Sequence, residues 1–302
     1  MENNKGILLE SGTNELEIVE FTIGQNTFGI NVAKVREIMP IEPITKVPNS
    51  HPCIRGIFKP RETVITVIDL PKYLNMSTST DEKKDMLIIA NFNKLFVAFL
   101  VNGVVGIHRI SWTQIEKPDH TIYGGQEGLA TGIVKMNNKL IMILDFEKII
   151  TDISPQTGIQ ISEIDRLGPR ARSNKPILIA EDSELLAKML HDALSKAGYT
   201  NLNINTNGQE AWDALTELKK SPGKLEEKVA CVITDIEMPQ MDGHHLTKLI
   251  KEDEELKKLP VIIFSSLIND EMKRKGDGLG ADAQVTKPEI GNLVGIIDKL
   301  IL

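Results

Sequence analysis

The chain has 302 residues, a formal net charge of -7, and an ordinary globular composition with 41% hydrophobic and 25% charged residues. This length predicts two domains, since compact domains run to about 100–200 residues. The acidic balance and the lack of a basic stripe argue against nucleic-acid binding. The sequence shows no apolar signal core and no apolar run long enough to span a bilayer, which predicts a cytoplasmic protein without direct membrane insertion.

The first half of the sequence is typical of a β-rich domain. Alternating apolar residues over 19–23 predict a strand, and residues 27–30 predict a second strand that pairs with it in a hairpin. The apolar residues between Val32 and Met39 have helical spacing, so a short helix or helical turn is expected there. Three prolines then predict an extended crossing segment over residues 40–48.

An internal repeat is the most informative feature of this half. Residues 56–70 and 132–146 align without a gap and each predicts a hairpin. Each copy ends in an aspartate, Asp69 or Asp145, that is expected to cap a short helix. The identical pairs are Gly56/Gly132, Ile57/Ile133, Lys59/Lys135, Ile65/Ile141 and Asp69/Asp145.

A strand–turn–strand unit precedes each copy of the repeat, over residues 19–30 and 87–101. Short strands with frequent turns favour small barrels, so we predict two similar β-subdomains packed together. This half contains no set of residues with catalytic spacing. A binding surface is therefore the expected role of this module.

Four stretches of this half stand out: FGINVAKVREI at 28–38, ITKVP at 44–48, IRG at 54–56 and VITVIDL at 64–70. Together they resemble the CheW family of chemotaxis coupling domains. The resemblance implies a double small β-barrel that bridges chemoreceptor cytoplasmic tips to the histidine kinase CheA. It also implies that Arg55 and Gly56, at the family's Arg-Gly, bind a partner; the alternative for Arg55 is a solvated surface residue.

Composition changes after residue 150, where apolar periodicity weakens and Ser-Pro and Gly-Pro pairs appear. We predict a coupling domain over 14–152, a linker over 153–174 and a second domain over 175–302.

The second half alternates apolar strands with amphipathic helices. This alternation predicts an α/β doubly wound, five-stranded parallel sheet. The predicted strands cover residues 177–180, 202–206, 229–233, 261–264 and 283–286.

Polar residues follow four of these strands, at the edge where parallel strands bring their carboxyl ends together. Crowded carboxylates raise one another's pKa, a divalent cation relieves this repulsion, and hard oxygen ligands select Mg²⁺. An ionised aspartate there can act as a nucleophile toward a phosphoryl group, while a lysine and a hydroxyl bind its oxygens. The residues are Glu181, Asp182, Asp235, Ser265 and Lys287.

This pattern closely resembles the receiver domains of two-component response regulators. The resemblance implies that Asp235 is the phospho-acceptor, with Ser265 and Lys287 assisting. It also implies that Mg²⁺ is held by Asp182, Asp235 and the backbone carbonyl of Glu237, with Glu181 helping through water.

Two further expectations follow from the same resemblance. The Lys287-Pro288 bond is expected to be cis. The aromatic residue that receivers often carry three positions before the lysine is Gln284 here. The output is therefore expected to depend on Ser265 and on other contacts, while the acidic Glu237 is expected to alter the phosphoryl lifetime.

A coupling domain followed by a receiver is the arrangement of the CheV family, which the chain resembles over nearly its whole length. The resemblance implies a non-enzymatic adaptor whose coupling is tuned by phosphorylation of Asp235 from CheA. One alternative is a phosphate sink that drains CheA, with docking used only for localisation. A second is a Mg²⁺-dependent phosphohydrolase with Glu237 as acid/base. A transcription regulator is disfavoured because no helix-turn-helix follows the receiver.

Overall fold

The computed structural model describes residues 13–76, 85–92, 95–118 and 128–302. Contacts divide the chain into two compact units, one made of Glu17–Ile110 and Glu116–Thr157 and one built on Gly158–Leu302. Within the described ranges, no helix combines the length and apolar character needed to cross a membrane.

The described part of the first unit contains two five-stranded sheets and two short helices. The two predicted β-subdomains correspond to these sheets. The elements are β1 (Glu15–Ile23), β2 (Asn26–Asn31), β3 (Val35–Pro40), β4 (Ile54–Phe58), β5 (Ile65–Asp69), α1 (Leu70–Tyr73), β6 (Met86–Phe92), β7 (Leu95–Val101), β8 (Gly103–Ser111), β9 (Ala130–Met136), β10 (Lys139–Leu144) and α2 (Phe146–Ile153).

The two copies of the repeat exchange partners between the sheets. The sheet orders are β8-β1-β2-β10-β9 and β3-β6-β7-β5-β4. β10 of the second copy therefore pairs in parallel with β2, and β5 of the first copy pairs in parallel with β7. Each repeated hairpin thus joins the strand–turn–strand unit that precedes the other copy, which sequence similarity alone does not reveal.

The two repeated aspartates are helix N-caps, as predicted. Asp69 Oδ1 accepts a hydrogen bond from Lys72 N at 3.0 Å, and Asp145 Oδ1 accepts one from Lys148 N at 2.9 Å. A side-chain oxygen at this position satisfies a backbone N–H that the helix leaves without a partner.

The helix expected between Val32 and Met39 is correct only for a single 3₁₀ turn, Val32–Lys34. The remaining residues form β3, which pairs antiparallel with β6. Cross-strand pairing with a buried neighbour outweighs the helical spacing of these apolar residues, because local periodicity is a weak signal in so short a window.

The second unit is the predicted doubly wound sheet, with strand order β12-β11-β13-β14-β15 and parallel pairing throughout. β13 lies at its centre and is buried along its whole length. The elements are α3 (Ser162–Asp165), β11 (Ile177–Ala180), α4 (Glu184–Lys196), β12 (Leu202–Asn205), α5 (Gly208–Lys220), α6 (Leu225–Lys228), β13 (Cys231–Thr234), α7 (Gly243–Glu252), β14 (Val261–Ser265), α8 (Asp270–Gly278), β15 (Ala283–Thr286) and α9 (Ile290–Ile301).

Alternate residues of β11 face opposite helix layers, as a strand requires. Ile177 and Ile179 belong to the apolar cluster formed with α4 and α9, whereas Leu178 belongs to the cluster formed with α5 and α7. Register pairs Ala180 with Thr234 at the ends of β11 and β13. The residues that follow these strands therefore emerge side by side.

Residues of the predicted linker pack into the apolar cluster of the second unit. Ile159 and Ile164 are each 3% exposed and belong to the same cluster as α4 and α9. The proposed limits of the coupling domain, linker and receiver stay predictions.

Candidate functional site

The carboxyl end of the parallel sheet gathers three acidic side chains. Glu181 and Asp182 follow β11, and Asp235 follows β13, its neighbour in the sheet. Potential ligand oxygens of these three residues lie within 4.8 Å of one another. Such an all-oxygen donor set suits a hard divalent cation such as Mg²⁺.

Lys287, which follows β15, reaches into this acidic cluster. Its Nζ lies 2.8 Å from Glu181 Oε2 and 2.9 Å from Asp235 Oδ2. The side chains of Lys287, Glu181 and Asp235 are only 6%, 3% and 5% exposed. One buried ammonium therefore compensates two buried carboxylates, and with Asp182 the cluster keeps a net negative charge that favours a cation.

The backbone around Asp235 fixes the orientation of its carboxylate. Ile236 N donates to Asp235 Oδ1 at 2.6 Å, and Asp235 N donates to Ala180 O at 3.0 Å. Thr234 Oγ1, on a fully buried residue, donates to the Asp235 carbonyl at 2.8 Å. One carboxylate oxygen is thus held by the backbone while the other contacts Lys287.

Gly243, the first residue of α7, lies against Asp235. A Cβ added there would stand 1.8 Å from Asp235 O, so only glycine allows this approach. No local sequence signal predicts the contact of Gly243 with Asp235, which depends on how closely α7 approaches the end of β13.

Ser265 ends β14 and is 1% exposed. Its Oγ accepts a hydrogen bond from Leu267 N at 3.3 Å, and its carbonyl accepts one from Lys287 N at 3.2 Å. The backbone of Ser265 thus positions the start of the Lys287 segment. The Lys287-Pro288 bond is cis, as expected.

Glu237 lies half-buried in the loop that follows Asp235. The acidic cluster detected among the described residues consists of Glu181, Asp182 and Asp235. The expected role of Glu237, through its backbone carbonyl, stays a prediction.

Gln284, on β15, is bound to α8. Its Nε2 donates to Lys273 O at 2.7 Å and to Asp277 Oδ1 at 2.8 Å. A Cβ added at Gly276 would lie 2.5 Å from Gln284 Oε1, so the helix packs directly on this amide. A glutamine with these contacts ties the position of β15 to that of α8.

Two titratable groups at the start of α7 have perturbed pKa values. Burial raises the pKa of Asp242, which caps the helix through His245 N, to about 6. Burial and the nearby Lys275 lower the pKa of His244 to about 4. His244 is therefore neutral in the folded protein at physiological pH.

In the first unit, Arg55 and Gly56 lie on β4. The Arg55 side chain is 43% exposed, and its Nη1 lies 3.7 Å from Asp69 Oδ2. Gly56 has φ of +150°, and an added Cβ would stand 2.3 Å from Thr45 O. Close approach of the crossing segment therefore explains Gly56, while Asp69 holds the partly exposed guanidinium of Arg55. Their contact with partners stays a prediction.

Comparison with known proteins identifies both halves of the chain. A CheW-like domain matches residues 17–154, and a response regulator receiver domain matches residues 177–298. The chain is 29% identical over 300 residues to chemotaxis protein CheV3 of Helicobacter pylori, a match that covers 95% of each chain. The chain belongs to the CheV family.

Two further similar proteins match the CheW-like half of this CheV-family chain. Chemotaxis protein CheW of Thermotoga maritima is 29% identical over 151 residues, which cover 50% of this chain and 98% of that protein. The solved structure of scaffolding protein TtCheW from Thermoanaerobacter tengcongensis is 27% identical, covers 43% of this chain and 88% of that chain, and has a TM-score of 0.40. The two domain matches and the sequence relatives support a chemotaxis protein with an adaptor-type domain and a receiver domain.

Proposed function

We propose that this CheV-family protein is a chemotaxis adaptor that couples chemoreceptors to the kinase CheA and is tuned by phosphorylation at Asp235. The observation that supports it most is the contact of Lys287 with both Glu181 and Asp235 at the strand ends of the receiver. A buried lysine beside a carboxylate cluster is suited to bind the oxygens of an incoming phosphoryl group.

Asp182 and Asp235 would hold Mg²⁺ directly in this proposal, with the carbonyl of Glu237 as a third ligand and Glu181 helping through water. The bound cation supplies charge neutralisation for the phosphoryl oxygens. The close grouping of the three carboxylates fits this role, because without further positive charge they repel one another.

Phosphoryl transfer would use the residues already in place. Asp235 Oδ attacks the phosphorus of the CheA phosphohistidine; a P–O bond forms, the P–N bond breaks, and the released imidazole nitrogen takes up a proton from water. Lys287 Nζ moves from carboxylate oxygen to phosphoryl oxygen, and the Ser265 hydroxyl donates to another. The product is a regulatory acyl phosphate, not an intermediate of substrate turnover.

The CheW-like domain would provide the surface that this phosphate controls. Arg55, partly exposed and oriented by Asp69, is the proposed contact residue for the kinase or for the receptor tips. Phosphorylation can tune coupling only if the two receiver states differ in their effect on that binding.

The proposal is tested by mixing radiolabelled phospho-CheA with the full chain. We expect the label to move to the wild-type chain and not to Asp235→Ala, while both bind receptor–CheA complexes equally. Asp213→Ala, which removes an exposed aspartate of α5, is the matched control and should accept label normally. Label on Asp235→Ala would contradict the site assignment.

A second assay, which follows the rate of CheA autophosphorylation with and without the protein, separates tuning from a phosphate sink. A sink lowers the amount of phospho-CheA but leaves the rate of kinase autophosphorylation unchanged. Tuned coupling changes that rate itself, even when label transfer is complete.

A further inference from the structure

The segment of residues 159–173, which we call the strap, is packed on the receiver. Ile159 and Ile164 are each 3% exposed within the apolar cluster of α4 and α9, and Ile161 packs partly against the same cluster. Burial of these apolar side chains favours attachment of the strap to the receiver.

Charged contacts hold the strap at the end of α4. Asp165 Oδ1 lies 2.6 Å from Lys196 Nζ, in the last turn of that helix. Arg170 Nε donates to Ala197 O at 2.7 Å, and its Nη2 donates to Asp298 on α9. A guanidinium on a C-terminal carbonyl also interacts favourably with the helix dipole.

Backbone contacts continue the attachment beyond Arg170. Ser173 N donates to Gly198 O at 2.8 Å, and Thr200 N donates to Ser173 O at 3.0 Å. Gly198 has φ of +101°, and an added Cβ would lie 2.5 Å from Ala171 O. The chain therefore passes so close to the α4–β12 turn that the turn requires glycine.

The strap also caps α9, the helix that follows Lys287. Its N-cap residue, Glu289, provides no side-chain cap hydrogen bond to the helix start. Glu163 Oε2 instead accepts a hydrogen bond from Gly291 N at 3.2 Å. A carboxylate at a helix N-terminus satisfies an unpaired N–H and interacts favourably with the dipole.

This cap lies four residues along the chain from the lysine of the phosphoryl site. Ile290, which lies between them, is fully buried, so a shift of the Lys287 segment would be passed to the start of α9. Lys287 Nζ now lies 2.9 Å from Asp235 Oδ2, so a phosphoryl group bonded to Asp235 would take up this space and shift the segment that carries the lysine. The Gly291 N–H would then withdraw from Glu163.

We propose that the strap is a releasable clamp on the α4–α9 face, and that phosphorylation of Asp235 loosens it by weakening the Glu163 cap. The inference rests on the proposed function and deepens it by naming a route from the phosphate to the chain that joins the domains. Release of the strap would lengthen the free tether by about 50 Å when its 15 residues are extended. The reach of the receiver would thereby depend on its phosphorylation.

Hydrogen exchange of the full chain tests whether the strap is clamped. In Glu163→Ala, peptides covering residues 159–167 and 289–293 should exchange about fivefold faster, the effect expected for a lost helix cap. Glu163→Gln keeps an acceptor oxygen and should show a smaller change. Glu254→Ala, which removes an exposed carboxylate of the receiver, should leave both peptides unchanged. Unchanged exchange in Glu163→Ala would overturn the clamp.

Acetyl phosphate with Mg²⁺ tests the coupling to Asp235. The donor's P–O bond breaks, acetate leaves and the phosphoryl group bonds to Asp235, which intact mass measures directly. We expect faster strap exchange in the phosphorylated chain and no change in Asp235→Ala. Full phosphorylation with unchanged strap exchange would overturn the inference and leave the proposed function standing. Failure to phosphorylate would overturn both, and mass distinguishes the two failures.

Discussion

Removing Lys287 should strongly destabilise the receiver when no divalent cation is present. Lys287→Met keeps most of the apolar stem but leaves Glu181 and Asp235 without the ammonium that lies 2.8 and 2.9 Å away. Both carboxylates are at most 5% exposed, so water does not replace the lost contact. Breaking a buried ion pair from one side costs about 3–5 kcal/mol.

Saturating Mg²⁺ should restore a large part of this loss, because a divalent cation among the carboxylates replaces the missing positive charge. The free energy of unfolding is best measured in urea titrations monitored by hydrogen exchange. Exchange of the peptide covering β13 reports unfolding of the receiver separately from that of the other domain. Wild type and variant are compared with Mg²⁺ and with a chelator.

Lys257→Met is the matched control for this experiment. Lys257 pairs with Glu254 at 2.8 Å, but the two side chains are 46% and 88% exposed, so the change should cost no more than about 1 kcal/mol. A loss in Lys287→Met as small as in Lys257→Met, or one that Mg²⁺ leaves unchanged, would refute the electrostatic reasoning.

Three further predictions concern residues around the same site. Gly243→Ala should abolish phosphorylation and lower stability by several kcal/mol, since its Cβ would overlap Asp235 O, whereas Gly278→Ala, with open space around the Cβ, should do neither in the same labelling and unfolding assays. His244→Leu should flatten the pH dependence of stability: the folded pKa of about 4 lies below the ordinary value, so the wild type loses up to about 3 kcal/mol as pH falls from 6.5 to 4. Urea titrations at pH 7.5 and 5.0 check this, and parallel behaviour of the two proteins would contradict it. Gln284→Ala should speed hydrogen exchange in α8 by severalfold through loss of two hydrogen bonds, and unchanged exchange would show that they do not hold the helix.

Sequence patterns predicted the receiver sheet because its strands are short, apolar and bounded by turn residues. The grouping of Asp235 with Lys287 followed from topology, since parallel strands deliver their carboxyl ends to one edge. Both predictions depend on the pattern of apolar and turn residues along the sequence and on the topology of parallel sheets. The contact of Gly243 with Asp235 does not, because it depends on how closely α7 approaches β13.

Strand pairing between distant residues accounts for the other differences between the sequence predictions and the structure. Residues 35–40 have helical spacing, yet they form β3 because β6 offers an antiparallel partner. The exchange of hairpins between the two sheets likewise depends on pairing across more than 100 residues, from Phe28 to Met142. The Glu163 cap on α9 could not be predicted either, because the weak apolar periodicity of residues 159–173 does not indicate packing on a helix far along the chain.

The central claim is that phosphate on Asp235 changes what the CheW-like domain does to CheA. Kinase activity in a reconstituted receptor–CheA array, measured with this protein before and after receiver phosphorylation, tests it most directly. We expect the activity to change on phosphorylation of the wild type and to stay constant with Asp235→Ala, although both proteins bind the array. An equal response of the two proteins, or no response of the fully phosphorylated wild type, would contradict it.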